Sequence, residues 1–282
     1  MTGKAVELGA LTVRRLLPVR GRRLIGSYCF LDRFGPLEFA GTKPMDVAPH
    51  PHIGLQTVTW LLDGEIVHKD SLDSECLVRP GQLSLMTAGR GIAHTEETPK
   101  ENSGWLNGVQ LWVALPDAAR GMMPRYQCTR EQARREVRGS VVTSILGTGS
   151  EGVQFHPGAV EDVAVQRGER TELGLEAGWE YGVLLMQGDT NVEGAELVRD
   201  TLYYVAPGRG EIAMASREGA RVLLFGGPPF GEPVLMWWNF VARTAEEIDA
   251  ARTAWERGEV FGEVKRYEGE RLVAPALVLR PR

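Results

Sequence analysis

The sequence has few cysteines and no long apolar run, and both absences limit what the protein can be. Its three cysteines, Cys29, Cys76 and Cys128, lie far apart without C-x-x-C spacing, and an odd number cannot all pair within one chain. This pattern favours a reduced, cytoplasmic protein. Apolar stretches such as residues 111–115 are far shorter than the roughly 20 residues that span a bilayer. The N-terminus also lacks the basic and apolar regions of a signal peptide. We therefore expect no membrane partner.

The excess of one sign of charge over the other is also small. The formal net charge of −5 disfavours direct binding to nucleic acid, because such proteins usually carry a basic patch. The 282 residues suit two domains or one large domain, and the 43% hydrophobic content is ample for a buried core. A small-molecule substrate or a protein partner fits this composition better than nucleic acid does, and we expect a monomer.

Short strands bounded by turn residues recur along most of the chain. Residues 55–62 are rich in apolar and β-branched residues and stop at Asp63-Gly64, which predicts a hairpin with residues 65–70 as the returning strand. The second half echoes the first, because Trp60-Leu-Leu-Asp-Gly is matched by Leu185-Met-Gln-Gly-Asp. Such an internal repeat indicates two copies of one strand-and-turn unit.

Helix signals are confined to the end of the chain. Thr244 stands as an N-cap with Glu247 three residues later, and Gly258 stands where a left-handed C-terminal residue belongs, which predicts a helix over about 244–257. The charged composition of residues 117–137 interrupts the strand pattern. We therefore predict an all-β protein with one domain at 1–130 and a second at 131–282 that carries the helix.

Histidine is scarce as well, but its placement is informative. His50 and His52 lie two residues apart, as do His94 and Glu96, so each pair shares one face of a strand. Three imidazoles and a carboxylate can bind Fe(II), Mn(II), Ni(II), Cu(II) or Zn(II). Because four protein ligands leave an octahedral ion two open positions, a reactive metal site is predicted.

The sequence also suggests roles for Glu96 and for four residues outside the predicted ligand set. Glu96 is the predicted general base, because a carboxylate ligand can also accept a proton. Gln56 and Trp60 are predicted to line the substrate pocket. His68 and His156 stand alone in the sequence and are interpreted as ordinary hydrogen-bonded histidines.

The segments around these ligands resemble the pirin family, a branch of the cupin superfamily. The resemblance rests on His50-Pro-His-Ile-Gly-Leu-Gln-Thr-Val-Thr-Trp-Leu-Leu-Asp-Gly-Glu and on Thr87-Ala-Gly-Arg-Gly-Ile-Ala-His-Thr-Glu. It extends to Gly108-Val-Gln-Leu-Trp-Val-Ala-Leu-Pro and Gly226-Gly-Pro-Pro-Phe-Gly-Glu-Pro. The resemblance implies a bicupin fold of two face-to-face, jelly-roll-like β-barrels, with the metal in the N-terminal barrel only and the ligand set His50, His52, His94 and Glu96.

The resemblance also implies two alternative functions. Pirin-like proteins are known as quercetinase-type dioxygenases and as metal-dependent protein-binding regulators. We expect an Fe(II)-dependent dioxygenase-like oxidoreductase that acts on a flavonol-like or other enolisable molecule, with a redox-dependent regulator as the alternative. The family often has Arg-Gly-Phe-Glu after the histidine pair, whereas this chain has Ile53-Gly-Leu-Gln56, which makes the pocket mouth more apolar and less charged.

Overall fold

The computed structural model describes residues 1–8 and 11–277, and antiparallel β-strands dominate it. Eleven strands precede residue 130: β1 (Lys4–Leu8), β2 (Leu11–Leu17), β3 (Tyr28–Glu38), β4 (Asp46–His52), β5 (Leu55–Gly64), β6 (Ile66–Asp70), β7 (Glu75–Val78), β8 (Ser84–Thr87), β9 (Ile92–Glu97), β10 (Trp105–Ala114) and β11 (Arg125–Cys128). They form a seven-stranded sheet, β1-β2-β3-β10-β5-β8-β11, and a four-stranded sheet, β4-β9-β6-β7. These two sheets make the first barrel.

The second half of the chain repeats this plan. Its elements are β12 (Arg134–Val137), β13 (Ser140–Leu146), β14 (Ala159–Val165), β15 (Arg170–Gly174), β16 (Glu180–Gly188), β17 (Asn191–Val192), β18 (Ala195–Glu196), β19 (Leu202–Val205), β20 (Glu211–Ala215), β21 (Ala220–Gly227), β22 (Leu235–Trp237), β23 (Phe240–Ala242) and α1 (Ala245–Arg257). A six-stranded sheet, β12-β13-β14-β21-β16-β19, and a four-stranded sheet, β15-β20-β17-β18, form the second barrel. The predicted all-β bicupin fold is confirmed.

The large sheets of the two barrels pack face to face. Their shared core contains Val58, Trp60 and Leu111 from the first barrel and Leu184 and Phe225 from the second, all nearly inaccessible to solvent. Burial of so much apolar surface stabilises the contact between the barrels and holds them together.

The predicted hairpin at Asp63-Gly64 is wrong in its pairing. Residues 66–70 do form a strand, β6, but it pairs with β7 and β9 of the small sheet. β5 instead pairs with β10 and β8 of the large sheet. The chain therefore turns a corner from one sheet to the other at this turn, as strands do in jelly-roll barrels.

The helix prediction is confirmed within one residue. α1 begins at Ala245, after Thr244, whose hydroxyl oxygen accepts a hydrogen bond from the Glu247 backbone N–H, and Gly258 follows in the left-handed conformation at φ 72°. Among the described residues, no helix is long and apolar enough to cross a membrane.

The C-terminal segment returns to the first barrel and covers the outer face of its small sheet. The apolar side chains of Ile248 and Trp255 in α1, and of Phe240 before it, pack in one cluster with Ala93 of β9. Ile53 lies at the edge of this cluster and forms a β-bridge with Phe240. The boundary at 130 stays a prediction, but residues 240–274, which carry this cluster, pack on the surface of the first barrel.

Cys76 and Cys128 form a disulfide, whereas the sequence favoured reduced thiols. The two cysteines lie 52 residues apart in the chain, but β7 and β11 bring their Cα atoms to 6.6 Å. The bond joins the edge strands of the two sheets of the first barrel. Cys29 is the free cysteine, and it is buried.

Candidate metal centre

Three of the predicted ligands meet inside the first barrel. His50 of β4 lies directly opposite His94 of β9, and His52 follows on the same face of β4. One ring nitrogen of each histidine lies within 4.8 Å of the others, and the three side chains are buried. Alternation along β4 places His50 and His52 on one face. The pairing of β4 with β9 then brings His94, which is more than forty residues away in sequence, next to them.

Hydrogen bonds occupy the Nδ1 atom of each ring. Nδ1 lies 3.0 Å from the Ala48 carbonyl oxygen in His50 and 2.9 Å from the Asn239 carbonyl oxygen in His52. Nδ1 of His94 lies 3.3 Å from a nitrogen of a fourth histidine, His68. The Nε2 atom of each ring is left as the candidate ligand atom, as expected when outer partners orient metal-binding histidines.

The electrostatics of the cluster keep the rings neutral. Burial lowers the pKa of His50, and the nearby rings add to this effect for His52 and His94, whose pKa values lie well below 6.5. Nε2 of His94 is also buried without a hydrogen-bond partner among the described residues. Neutral imidazoles with an orphaned nitrogen are what a borderline divalent transition ion requires, so the residues fit such a metal.

Glu96 lies beside the cluster but is not one of its three close members. Its Oε1 atom accepts a hydrogen bond of 2.6 Å from Gln110 Nε2 and lies 3.4 Å from the Thr59 hydroxyl. The side chain is 6% exposed and its charge acts on His50. The carboxylate is thus held by one oxygen, and the role of Glu96 as fourth ligand stays a prediction.

The two residues predicted to line the substrate pocket, Gln56 and Trp60, have partners on the side of β5 away from the histidine cluster. Trp60 is buried between the barrels and donates a hydrogen bond of 2.9 Å from Nε1 to Asp162 Oδ2. Gln56 donates from Nε2 to Thr87 and to the Val153 carbonyl oxygen. Both belong to the face of β5 that points away from the histidines, because Thr59, on the other face, is the residue that reaches Glu96.

Sequence reasoning missed an aromatic pair that does adjoin the cluster. Trp112 packs edge-on against His52 with ring centroids 5.1 Å apart, and it stacks on Phe30 at 4.0 Å. It shares a face of β10 with Gln110, the residue that holds Glu96. Its Nε1 atom is buried and has no hydrogen-bond partner among the described residues. The Val109-Gln-Leu-Trp-Val alternation was the signal that could have revealed it.

The second barrel has apolar residues at the corresponding strands. β15 pairs with β20 as β4 pairs with β9, and this pair contributes Leu173, Ile212 and Met214 to a largely apolar core, in which the buried hydroxyls of Ser140 and Thr171 hydrogen-bond each other. Within residues 1–8 and 11–277, the trio His50, His52 and His94 is the one group with the spacing of metal ligands. That a metal binds in the first barrel only stays a prediction.

Two β-barrels packed through their large sheets, one of them with a buried histidine cluster, define a bicupin with a candidate metal centre in its N-terminal half. Comparison with family models is more specific. The model described as Pirin matches residues 10–113, and the Pirin C-terminal cupin domain matches residues 160–262. The chain belongs to the pirin family.

Individual relatives cover nearly the whole chain. A Pseudomonas aeruginosa protein that carries a provisional quercetin 2,3-dioxygenase name is 42% identical over 98% of this chain and 90% of its own length. A pirin-like protein of Caulobacter vibrioides is 33% identical over 90% of this chain and 91% of its own. The crystal structure of quercetin 2,3-dioxygenase from Acinetobacter baumannii superposes with a TM-score of 0.96 at 41% identity, covering 100% of this chain and 96% of that one.

Proposed function

We propose that the protein is a metal-dependent dioxygenase that acts on a flavonol-like or other enolisable small molecule. The observation that carries this proposal is the buried trio His50, His52 and His94. The Nδ1 atom of each ring is held by a hydrogen bond, which leaves Nε2 as the candidate ligand atom, and the Glu96 carboxylate lies alongside. The quercetin 2,3-dioxygenase names of the relatives support the substrate class.

The three histidines would hold the ion, with Glu96 as its fourth ligand. Fe(II) is the metal we favour, and Zn, Mn, Ni or Cu would also fit imidazole and carboxylate donors. When bound, such an ion supplies Lewis acidity that stabilises an enolate, and open positions for small ligands.

The protein groups around the ion have separate tasks in this proposal. Glu96 accepts the enol proton of the substrate, and the Gln110 amide N–H, which donates to Glu96 Oε1, holds the carboxylate in position for this step. Trp112 provides an apolar wall beside His52, and its indole N–H, which has no partner among the described residues, can donate to a substrate oxygen. Burial of these side chains excludes bulk water and strengthens each polar contact.

Oxygen uptake tests the proposal directly. The Fe(II)-loaded protein should consume oxygen in the presence of quercetin, and His94→Ala should abolish this consumption. His156→Ala is the matched control, because His156 lies outside the cluster: its Nδ1 atom lies 3.0 Å from the Pro157 carbonyl oxygen and its half-buried ring packs against Phe230. Fully metallated protein without turnover on a panel of flavonols and other enols would refute the enzyme.

The alternative, a regulator whose metal tunes a protein-binding surface, ranks second. All four proposed ligands are 6% exposed or less, so a partner protein could sense the metal only through movement of the surrounding strands. A redox-dependent change in partner affinity that is lost in Glu96→Ala would favour this alternative.

A further inference from the structure

We propose that His68 and Asp70 are positioning residues that fix the tautomer of His94 and so keep its Nε2 atom free for the metal. This inference rests on the metal site of the proposed function. It starts from a difference among the three histidines. Fixed backbone carbonyls orient His50 and His52, but another imidazole, which can donate or accept, orients His94.

The proton positions follow from the chain of contacts. His68 Nε2 lies 3.2 Å from Asp70 Oδ2, and an ionised carboxylate only accepts hydrogen bonds, so His68 carries its proton on Nε2. In a neutral His68 the Nδ1 atom is then bare and accepts a hydrogen bond from His94 Nδ1, 3.3 Å away. A neutral His94 with its proton on Nδ1 has a bare Nε2, which is the buried atom that has no hydrogen-bond partner in the described part of the chain.

Both supporting side chains are held firmly. Asp70 Oδ1 accepts hydrogen bonds from the backbone N–H groups of Leu72 at 2.9 Å and Ser74 at 3.1 Å. The His68 ring stacks on Tyr126 with centroids 3.9 Å apart and planes within 1°. Because neither side chain can rotate freely, the donor and acceptor roles of Asp70 and His68 are fixed. These roles determine which nitrogen of His94 carries the proton.

Strand register explains how the sequence builds this support. His68 and Asp70 lie two residues apart on one face of β6, and His94 and Glu96 do the same on β9. The two strands pair His68 with Glu96 and Asp70 with His94. The supporting pair therefore lies beside the ligand pair, strand against strand. The same i, i+2 spacing produces both pairs.

Asp70→Asn is the decisive variant. The amide oxygen still accepts from Leu72 and Ser74, but the amide N–H₂ now donates to His68 Nε2. His68 must then carry its proton on Nδ1 and His94 on Nε2, which blocks the ligand atom. We expect the affinity for Zn(II), measured by competition with a chelator, to fall about 10- to 100-fold, the usual effect of losing an outer partner of a metal ligand.

Variants of His68 separate hydrogen bonding from packing without a change of charge on a carboxylate. His68→Phe keeps a ring on Tyr126 but removes the acceptor, and we expect a similar loss of Zn(II) affinity. His68→Asn places an amide oxygen near the position of Nδ1 and should recover part of the loss. Asp73→Asn, in the exposed turn after β6, is the matched control and should bind Zn(II) like the parent.

A spectroscopic measurement tests the inference in the unmodified protein. In ¹H–¹⁵N spectra of the Zn(II)-loaded chain, the ring proton of His68 should appear on Nε2 and that of His94 on Nδ1. A His68 proton on Nδ1, or parental Zn(II) affinity in folded Asp70→Asn, would overturn the positioning role while leaving the dioxygenase proposal intact. Failure of the parent protein to bind any divalent transition ion would overturn both.

Discussion

At the scale of single residues, the candidate centre depends on histidines that remain neutral because they are buried. Desolvation disfavours the imidazolium form, and neighbouring rings repel a second positive charge, so the pKa values of His52 and His94 lie well below 6.5. The same property that prepares the rings for a metal makes the metal-free fold sensitive to acid.

The metal-free protein should therefore lose stability as the pH falls below about 6.5. In that range the unfolded chain binds protons on His52 and His94 that the folded chain does not bind, so the free energy of unfolding decreases with falling pH. Each residue contributes at most about 1.4 kcal/mol per pH unit. Chemical denaturation of chelator-treated protein between pH 7 and 5 measures this slope.

A double variant isolates the contribution of these rings. His52→Gln with His94→Gln should give a shallower dependence on pH than the parent, and His156→Gln, at a half-buried position outside the cluster, is the control for the loss of a histidine. Equal slopes in the parent and the double variant would contradict the assignment of neutral, buried rings.

At the scale of elements, local signals predicted local structure well. The cap residues Thr244 and Gly258 fix the ends of α1, because they act through hydrogen bonds within one turn of the helix. Alternation likewise brought His50 and His52 to one face of β4. His94 joins them because β9 pairs with β4. The sequence separation between the His50–His52 pair and the His94–Glu96 pair made this strand pairing predictable.

Pairing between distant strands was not readable from the sequence. Asp63-Gly64 has the composition of a hairpin turn, but the chain changes sheet there, and a corner and a hairpin use similar residues. His68 looked ordinary because its importance depends on the register of β6 against β9. β5 is buried on both faces, so its near-continuous apolar pattern does not reveal which face holds Trp60.

The variant Trp60→Phe tests which face of β5 carries the Trp60 side chain. This change keeps an aromatic ring between the barrels but removes the hydrogen bond to Asp162, which Arg221 still contacts. We expect the free energy of unfolding to fall by about 1 to 3 kcal/mol, with Zn(II) affinity unchanged because Trp60 points away from the histidines.

Trp105→Phe provides the comparison, since Trp105 is 43% exposed on β10 of the same sheet. Its effect on stability should stay within about 0.5 kcal/mol. A loss of Zn(II) affinity in Trp60→Phe at unchanged stability would instead place Trp60 in the pocket, as the sequence suggested.

At the scale of the whole molecule, the second half supports the centre from two directions. Its large sheet covers the apolar face of β5 and β10, where Val58 and Leu111 would otherwise meet water. Its C-terminal segment covers the small sheet of the first barrel and supplies the Asn239 carbonyl oxygen that orients His52. The second half of the chain is thus part of the structure that forms the candidate metal centre.

This arrangement predicts that residues 1–130 alone do not form a working metal centre, although they contain all four proposed ligands. The fragment lacks the Asn239 carbonyl and exposes an apolar sheet face of a size that promotes association. We expect no cooperative thermal unfolding and at least about a tenfold loss of Zn(II) affinity, as for other losses of an outer partner. Co-expression with residues 131–282 should restore both, because the second fragment carries the covering sheet and Asn239. A monomeric 1–130 fragment that binds Zn(II) as tightly as the intact chain would show that the first barrel is self-sufficient.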